Sequence, residues 1–216
     1  MLLEKERQLI TKYGNKLIEL GITRQTGGNL SIFNRNESLM AISPSAIPYS
    51  KISAEKVVVM DLNKKKIEGD NKPSSEYELH RIIYEKRKAI NSVVHTHPTY
   101  ATTIACLKEE IPPIHYLIAF AGLKVPCASY ARFGTKKLAK NVYKAMGSKY
   151  NAVLLANHGL ISVGKDIQHA LTISEMVEFC AELYYRAKAV GKPEILSKKQ
   201  IKRVIENLQD YQKNSD

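Results

Sequence analysis

Residues 91–97 read NSVVHTH, and both the fold class and the site follow from this run. Val93 and Val94 are consecutive β-branched residues, the mark of a strand covered by apolar neighbours on both faces. His95 and His97 close the run one residue apart, so the strand's period of two turns both imidazoles to the same side. Two imidazoles at that spacing can grip one ion, and borderline metals such as zinc favour imidazole nitrogen. A second apolar stretch, AVLLANHGLISV at 152–163, reads as two strands meeting at Asn157-His158-Gly159. A loop at a strand end is where a scaffold presents functional groups, so His158 joins the pair as a third candidate ligand.

Outward from this centre, strands and helices interleave along the whole chain. NLSIF (29–33) and SLMAI (38–42) flank a polar turn and predict a hairpin. VVVMD (57–61) predicts a strand, and Lys64–Lys66 turn the chain toward a short strand near Ile67. A further strand is expected near Val125. Helical spacing of apolar residues predicts helices over 2–20, from Pro73-Ser74-Ser75-Glu76 onward, 99–107, 134–146, 166–190 and 197–211. The spacing of Ser75 and Glu78 fits a capping box at the second of these. The run of hairpins predicts an α/β fold, one domain over residues 1–216, with a mainly antiparallel sheet covered by helices.

Bulk properties exclude several classes. No apolar run in the 216 residues is long enough for a membrane span, and the start, MLLEKERQLI, has no secretory h-region. The three cysteines, Cys106, Cys127 and Cys180, are scattered in apolar contexts. They predict reduced packing residues in a cytoplasmic protein, not a disulfide framework. Lys+Arg 33 against Asp+Glu 21 gives a net charge of +12. That suits an anionic partner such as a phosphorylated metabolite. The lysines are dispersed and no aromatic-studded basic strand accompanies them, so neither nucleic acid nor a membrane surface is expected as partner.

Around the histidines the chain offers a matching set of groups. Glu76 precedes the His95 strand by a helix and is a plausible fourth ligand. Ser74 and Ser75 beside it, with the helix N-terminus, make an anion site. Thr26-Gly27-Gly28-Asn29 and Ser43-Pro44-Ser45 add hydroxyls, amides and close backbone approach. One metal site and three phosphate-friendly loops form a coherent set, although each motif alone is commonplace. His80 is expected to be partly packed on its helix, and His169 to be solvated.

In that combination, with Ile114-His115-Tyr116 and Phe133-Gly134-Thr135, the chain resembles the class II aldolase and adducin family, and within it the L-fuculose-1-phosphate aldolases. The resemblance runs from residue 2 to about residue 211. It implies a three-layer αβα domain, and a four-fold symmetric homotetramer with active sites between subunits. It implies one zinc ion per subunit, held by Glu76, His95, His97 and His158. Thr26, Gly28, Asn29, Ser43, Ser45, Ser74 and Ser75 match positions that bind the phosphorylated ketose. Phe133 matches a substrate-lining aromatic and Tyr211 a C-terminal tyrosine over the site. Glu76 and Tyr116 are the implied catalytic pair, Tyr116 reaching the neighbouring subunit's site. The glycine usual after the Ser45 position is Ala46 here.

The implied reaction is cleavage of a ketose 1-phosphate, first of all L-fuculose 1-phosphate, to dihydroxyacetone phosphate and a small aldehyde, L-lactaldehyde for that sugar. Aldolases for 5-deoxypentulose 1-phosphates share the pattern, as do sugar-phosphate dehydratases. The related 4-epimerases typically carry Asp where this chain has Glu76. Cytoskeletal members of the fold lack the metal ligands that are all present here, which disfavours a purely structural role.

Overall fold

Eight strands form one sheet in the order β4-β3-β2-β1-β5-β8-β7-β6. They are β1 (Asn29–Asn34), β2 (Leu39–Ile42), β3 (Val58–Asp61), β4 (Lys66–Glu68), β5 (Ser92–Thr96), β6 (Cys127–Ala128), β7 (Ala152–Leu155) and β8 (Gly159–Gly164). The computed structural model describes residues 1–213, with the side chains of Gln209, Tyr211, Gln212 and Lys213 outside the description. Every pairing is antiparallel except β6 with β7. The NSVVHTH strand lies at the centre, between β1 and β8.

Among the described residues six α-helices cover the sheet: α1 (Glu4–Glu19), α2 (Tyr77–Lys86), α3 (Thr99–Cys106), α4 (Lys136–Met146), α5 (Ile167–Val190) and α6 (Lys198–Lys213). The strands alternate between two apolar faces. Val58, Met60, Val93, Ile161 and Val163 pack with Leu79 and Ile83 of α2 and Leu138 and Val142 of α4. Val57, Val59 and Val94 turn the other way, onto Ile10 and Leu17 of α1 and Leu171 of α5. Leu154 and Leu160 share that second face farther along, with Ile104 of α3 and Val177 of α5. Burial on both faces explains why the strands read as near-continuous apolar runs. The three-layer αβα expectation holds.

Three local expectations change. The second helix starts at Tyr77, with Glu76 as its N-cap and no side-chain cap, so Ser75 and Glu78 form no capping box. Tertiary pairing overrides the local signal: Ser74 N–H donates to Ser43 C=O at 3.0 Å and Ser45 N–H to Lys72 C=O at 2.9 Å. That holds residues 72–74 strand-like against the loop after β2. Glu78 instead pairs with Lys64 and Arg81. Near Val125 there is only a bridge to Ile111, the strand proper following at Cys127. The segment before it contains a 3-10 turn, Tyr116–Phe120.

Candidate active site

The site is assembled at one end of the central strands. In the β1–β5 register Asn29 faces His95, and in the β5–β8 register Thr96 faces Leu160. The end of β5 is therefore flanked by the start of β1 and by the β7–β8 turn that carries His158. That turn is three residues long, Ala156-Asn157-His158, with Asn157 in the left-handed region at φ 54°. Asparagine tolerates this conformation better than most residues. Glycines make room for the rings. A Cβ on Gly159 would lie 2.4 Å from Thr96 C=O and 2.6 Å from the His97 ring. One on Gly28, itself at φ 71°, would lie 2.4 Å from His95 C=O.

The three histidines converge as their spacing predicts. His95, His97 and His158 each offer a ring nitrogen, all within 4.8 Å of one another. His95 and His97 face each other through Nε2 atoms 3.2 Å apart. His95 is fully buried, and its Nδ1 lies 2.8 Å from the Leu160 carbonyl. That carbonyl only accepts, so Nδ1 carries a proton and Nε2 is the nitrogen turned toward the cluster. Glu76 completes the group, with Oε2 3.1 Å from His95 Nε2 and Oε1 3.8 Å from His158 Nε2.

The electrostatics of this cluster are those of ligands gathered around a shared point. Burial opposes ionisation of Glu76, yet the charge and hydrogen bond of His95, then His158 and Asn29, hold its carboxyl well below the usual carboxylate range. Burial pushes His97 down to about 3, with His95 and His158 adding to the effect. His158 falls to about 4 by burial and then His95. Burial acts on His95 in the same sense, but the Glu76 carboxylate outweighs it and raises the imidazole above its ordinary value.

These residues fit a bound metal ion. Glu76 Oε1 is buried without a hydrogen-bond partner, a costly arrangement unless something else engages it. Three imidazoles and a carboxylate are a donor set suited to a borderline divalent cation.

A cavity of about 250 Å³ opens beside the cluster. Glu76, His97 and His158 form its floor, and Thr26, Gly28, Asn29, Ser45, Ser74 and Ser75 are among its walls, with Phe133 over the edge. The N-terminus of α2 reaches this wall through Glu76, which favours an anion there. Two loops meet at the edge: Gly134, at φ 71°, packs so close to Ser75 that a Cβ would lie 2.9 Å from its carbonyl. Ala46 also lines the cavity and sits in the left-handed region at φ 59°, a conformation natural to the glycine it stands for.

Two expected residues lie elsewhere. Ser43 is buried behind the lining, and its Oγ accepts from Leu30 N–H at 3.1 Å. Tyr116 is half exposed in the 3-10 turn and is absent from the cavity lining. The Tyr211 side chain lies outside the described residues. Sequence reasoning also underrated His80, which is fully buried rather than partly packed and bonds to Asn29 and Ser31. The available signal was its place one helical turn after Glu76, on the same face of α2. His169, expected in solvent, is partly buried.

The arrangement is a histidine cluster able to hold a metal ion beside a polar cavity, and comparison with known proteins gives the family. The model of the Class II Aldolase and Adducin N-terminal domain matches residues 8–185. The chain belongs to this family and is a class II aldolase. It is 49% identical over 211 residues to a 5-deoxy-D-ribulose 1-phosphate aldolase of Bacillus thuringiensis, covering 98% of this chain and 99% of that one. To the L-fuculose phosphate aldolase of Escherichia coli it is 38% identical, covering 91% and 90% of the two chains. A solved L-fuculose 1-phosphate aldolase superposes with a TM-score of 0.93 at 45% identity, over 95% of this chain and 96% of that one.

Proposed function

We propose that the protein cleaves a 5-deoxypentulose 1-phosphate, with 5-deoxy-D-ribulose 1-phosphate as the preferred sugar, to dihydroxyacetone phosphate and acetaldehyde. The observation that carries the aldolase chemistry is a buried carboxylate, Glu76, shared between a histidine cluster and the floor of an anion-lined cavity. The sugar is favoured by the 49% identity to an aldolase of that name, which reverses the sequence-based order of the two substrates. L-fuculose 1-phosphate is the second reading, supported by the 0.93 superposition. The two sugars differ only in the aldehyde they release.

Glu76, His95, His97 and His158 would hold one metal ion, zinc on this reading. When bound, the ion supplies Lewis acidity that spreads the negative charge of the enediolate left by C3–C4 cleavage. Thr26, Gly28, Asn29, Ser43, Ser45, Ser74 and Ser75 are the phosphate-end residues. Ser74, Ser75 and the α2 N-terminus supply hydroxyls and positive dipole, while Ser43 braces the loop from behind. Glu76 exchanges a proton at C3, and its burial keeps water from competing. Tyr116, reaching from a neighbouring subunit of a homotetramer, exchanges a proton with the oxygen of the departing aldehyde. Phe133 and Tyr211 enclose the aldehyde end. All three cysteines are free, in keeping with a cytoplasmic enzyme. Among the described residues no helix is long and apolar enough to cross a membrane.

The test is dihydroxyacetone phosphate release from both sugars by the zinc-loaded protein, before and after a chelator. Chelator-sensitive release with the higher kcat/KM for the 5-deoxypentulose is expected. A higher value for L-fuculose 1-phosphate would hand the assignment to that sugar. Release from neither, with zinc bound, would sink both readings in favour of a dehydratase or epimerase on the same scaffold.

A further inference from the structure

Behind the cavity a row of polar side chains runs from Glu76 into the layer between α2 and the sheet. Asn29 and Ser31 alternate on one face of β1, while His80 and Tyr84 lie one turn apart on α2. All four are buried, Asn29 at 4% exposure and the other three at 0%. Asn29 Nδ2 is 3.0 Å from Glu76 Oε2, and Asn29 Oδ1 is 2.5 Å from His80 Nε2. His80 Nδ1 is 2.6 Å from Ser31 Oγ, and Ser31 Oγ is 2.6 Å from the Tyr84 hydroxyl.

With His80 neutral, the donors and acceptors from Glu76 to Ser31 take one consistent direction. The Glu76 carboxylate only accepts, so Asn29 must present its N–H to it. Asn29 Oδ1 then needs a donor, which is His80 Nε2–H. A neutral imidazole protonated at Nε2 accepts at Nδ1, so the Ser31 hydroxyl donates there. The Tyr84 hydroxyl closes the row, 2.6 Å from Ser31 Oγ and donating to the Ser31 carbonyl at 3.0 Å. From Ser31 inward each hydrogen points toward Glu76. A neutral His80 agrees with its burial, which, with the charge of His95 adding to it, pushes the imidazole down to about 3. Flipping the Asn29 amide would set its carbonyl against the Glu76 carboxylate, two buried acceptors facing each other, and would force His80 into its other tautomer. That penalty is what makes a fully satisfied buried network directional.

We propose that His80, backed by Ser31 and Tyr84, is a positioning residue: it locks the Asn29 amide with its N–H toward Glu76 and so fixes the carboxylate in the orientation that exchanges a proton at the substrate carbon. The inference rests on the role given to Glu76 above. Among the described residues, Asn29 is the only side chain outside the histidine cluster bonded to that carboxylate. The device works by orientation, since His80 belongs to neither the cavity lining nor the histidine cluster and reaches the site only through Asn29.

The experiment separates orientation from mere packing. Metal-loaded wild type, His80→Leu, His80→Gln, Ser31→Ala and Tyr84→Phe are compared in three measurements. These are kcat and KM for dihydroxyacetone phosphate release, metal content per subunit, and solvent deuterium exchange into dihydroxyacetone phosphate at the bond-forming carbon. The last reports the Glu76 proton transfer without any aldehyde. His80→Leu should lower kcat and the exchange rate by roughly tenfold to a hundredfold, as misplacing a reacting group does. KM should stay within about twofold and metal content unchanged, the pattern of an interaction used only in the transition state. Glutamine can donate to Asn29 and accept from Ser31, so His80→Gln should recover most of the exchange. Tyr84→Phe and Ser31→Ala should show smaller losses in the same direction.

Wild-type exchange in a folded, metal-loaded His80→Leu protein would overturn the proposal, as would a loss confined to KM or metal content. Should His80→Leu not fold, unchanged exchange in both Tyr84→Phe and Ser31→Ala would overturn it equally. Metal-loaded wild type that neither cleaves nor exchanges would instead remove the role of Glu76, and the inference with it.

Discussion

The two ends of the cavity are built on different principles. At the proposed metal end the groups are buried or partly buried, and two are doubly held: His95 by Leu160 and Glu76, Glu76 by His95 and Asn29. At the proposed aldehyde end the groups are open within this chain: Phe133 is 62% exposed and Tyr116 50% exposed. The first end is what a rigid sheet can preorganise. In the proposed homotetramer a neighbouring copy would cover the second, since exposed aromatics of this size gain by burial. One end therefore suits the chemistry common to the family, and the other suits the choice of aldehyde.

Removing a metal ligand should break the first end outright. His97→Ala is expected to lose roughly a thousandfold or more in kcat/KM, because Lewis-acid stabilisation contributes several kcal/mol. Metal content should fall with it, which emission spectroscopy checks. Glu76→Gln comes next. It should fold normally and lose about 10²–10⁴ in kcat, the range of general acid–base catalysis. Deuterium exchange into dihydroxyacetone phosphate should disappear together with cleavage. Near-normal exchange in that variant would show that another group moves the proton.

The difference between the ends also governs what could be read from the sequence. Strand periodicity and the HxH spacing are local, and β5, β7 and β8 fall where NSVVHTH and AVLLANHGLISV put them. The meeting of His158 with His95 and His97 follows once those strands neighbour each other. What was hidden is set by contacts distant in sequence. Ser74 looked like part of a helix start, but the strand-like pairing of residues 72–74 with the loop after β2 delays α2 to Tyr77. His80 looked half packed, because nothing near it in sequence discloses that Ser31 and Asn29 of β1 lie against it. Tyr116 was legible only through family resemblance, since no periodic pattern marks the 3-10 turn that carries it.

Tyr116→Phe is the change that best sharpens the contrast. Cleavage should slow by about a hundredfold, at the low end of a general acid's contribution. Exchange into dihydroxyacetone phosphate should continue at the wild-type rate, since it needs only the buried end. Mixed oligomers of Glu76→Gln and Tyr116→Phe chains should regain activity, because a site drawing Glu76 from one chain and Tyr116 from another would be intact. Failure to regain it, in oligomers proven mixed, would place Tyr116 in its own chain's site.

The smallest effect is expected at Ala46, on the phosphate wall between the two ends. Its φ of 59° costs an alanine roughly 1–2 kcal/mol, since the left-handed region brings Cβ against the carbonyl. Ala46→Gly removes that strain and gives back about 0.5–1 kcal/mol through the greater freedom of glycine in the unfolded chain. The net should be a stabilisation of about 0.5–1 kcal/mol, a rise of about 1–4 °C in Tm for a chain of this size. Losing the methyl also opens the backbone to closer approach by an anion, so inorganic phosphate should inhibit the variant a few-fold more tightly while kcat stays unchanged. A lower Tm would mean that the methyl packs favourably enough to outweigh the strain. A change in kcat without one in phosphate affinity would mean that this loop serves the buried end rather than the phosphate.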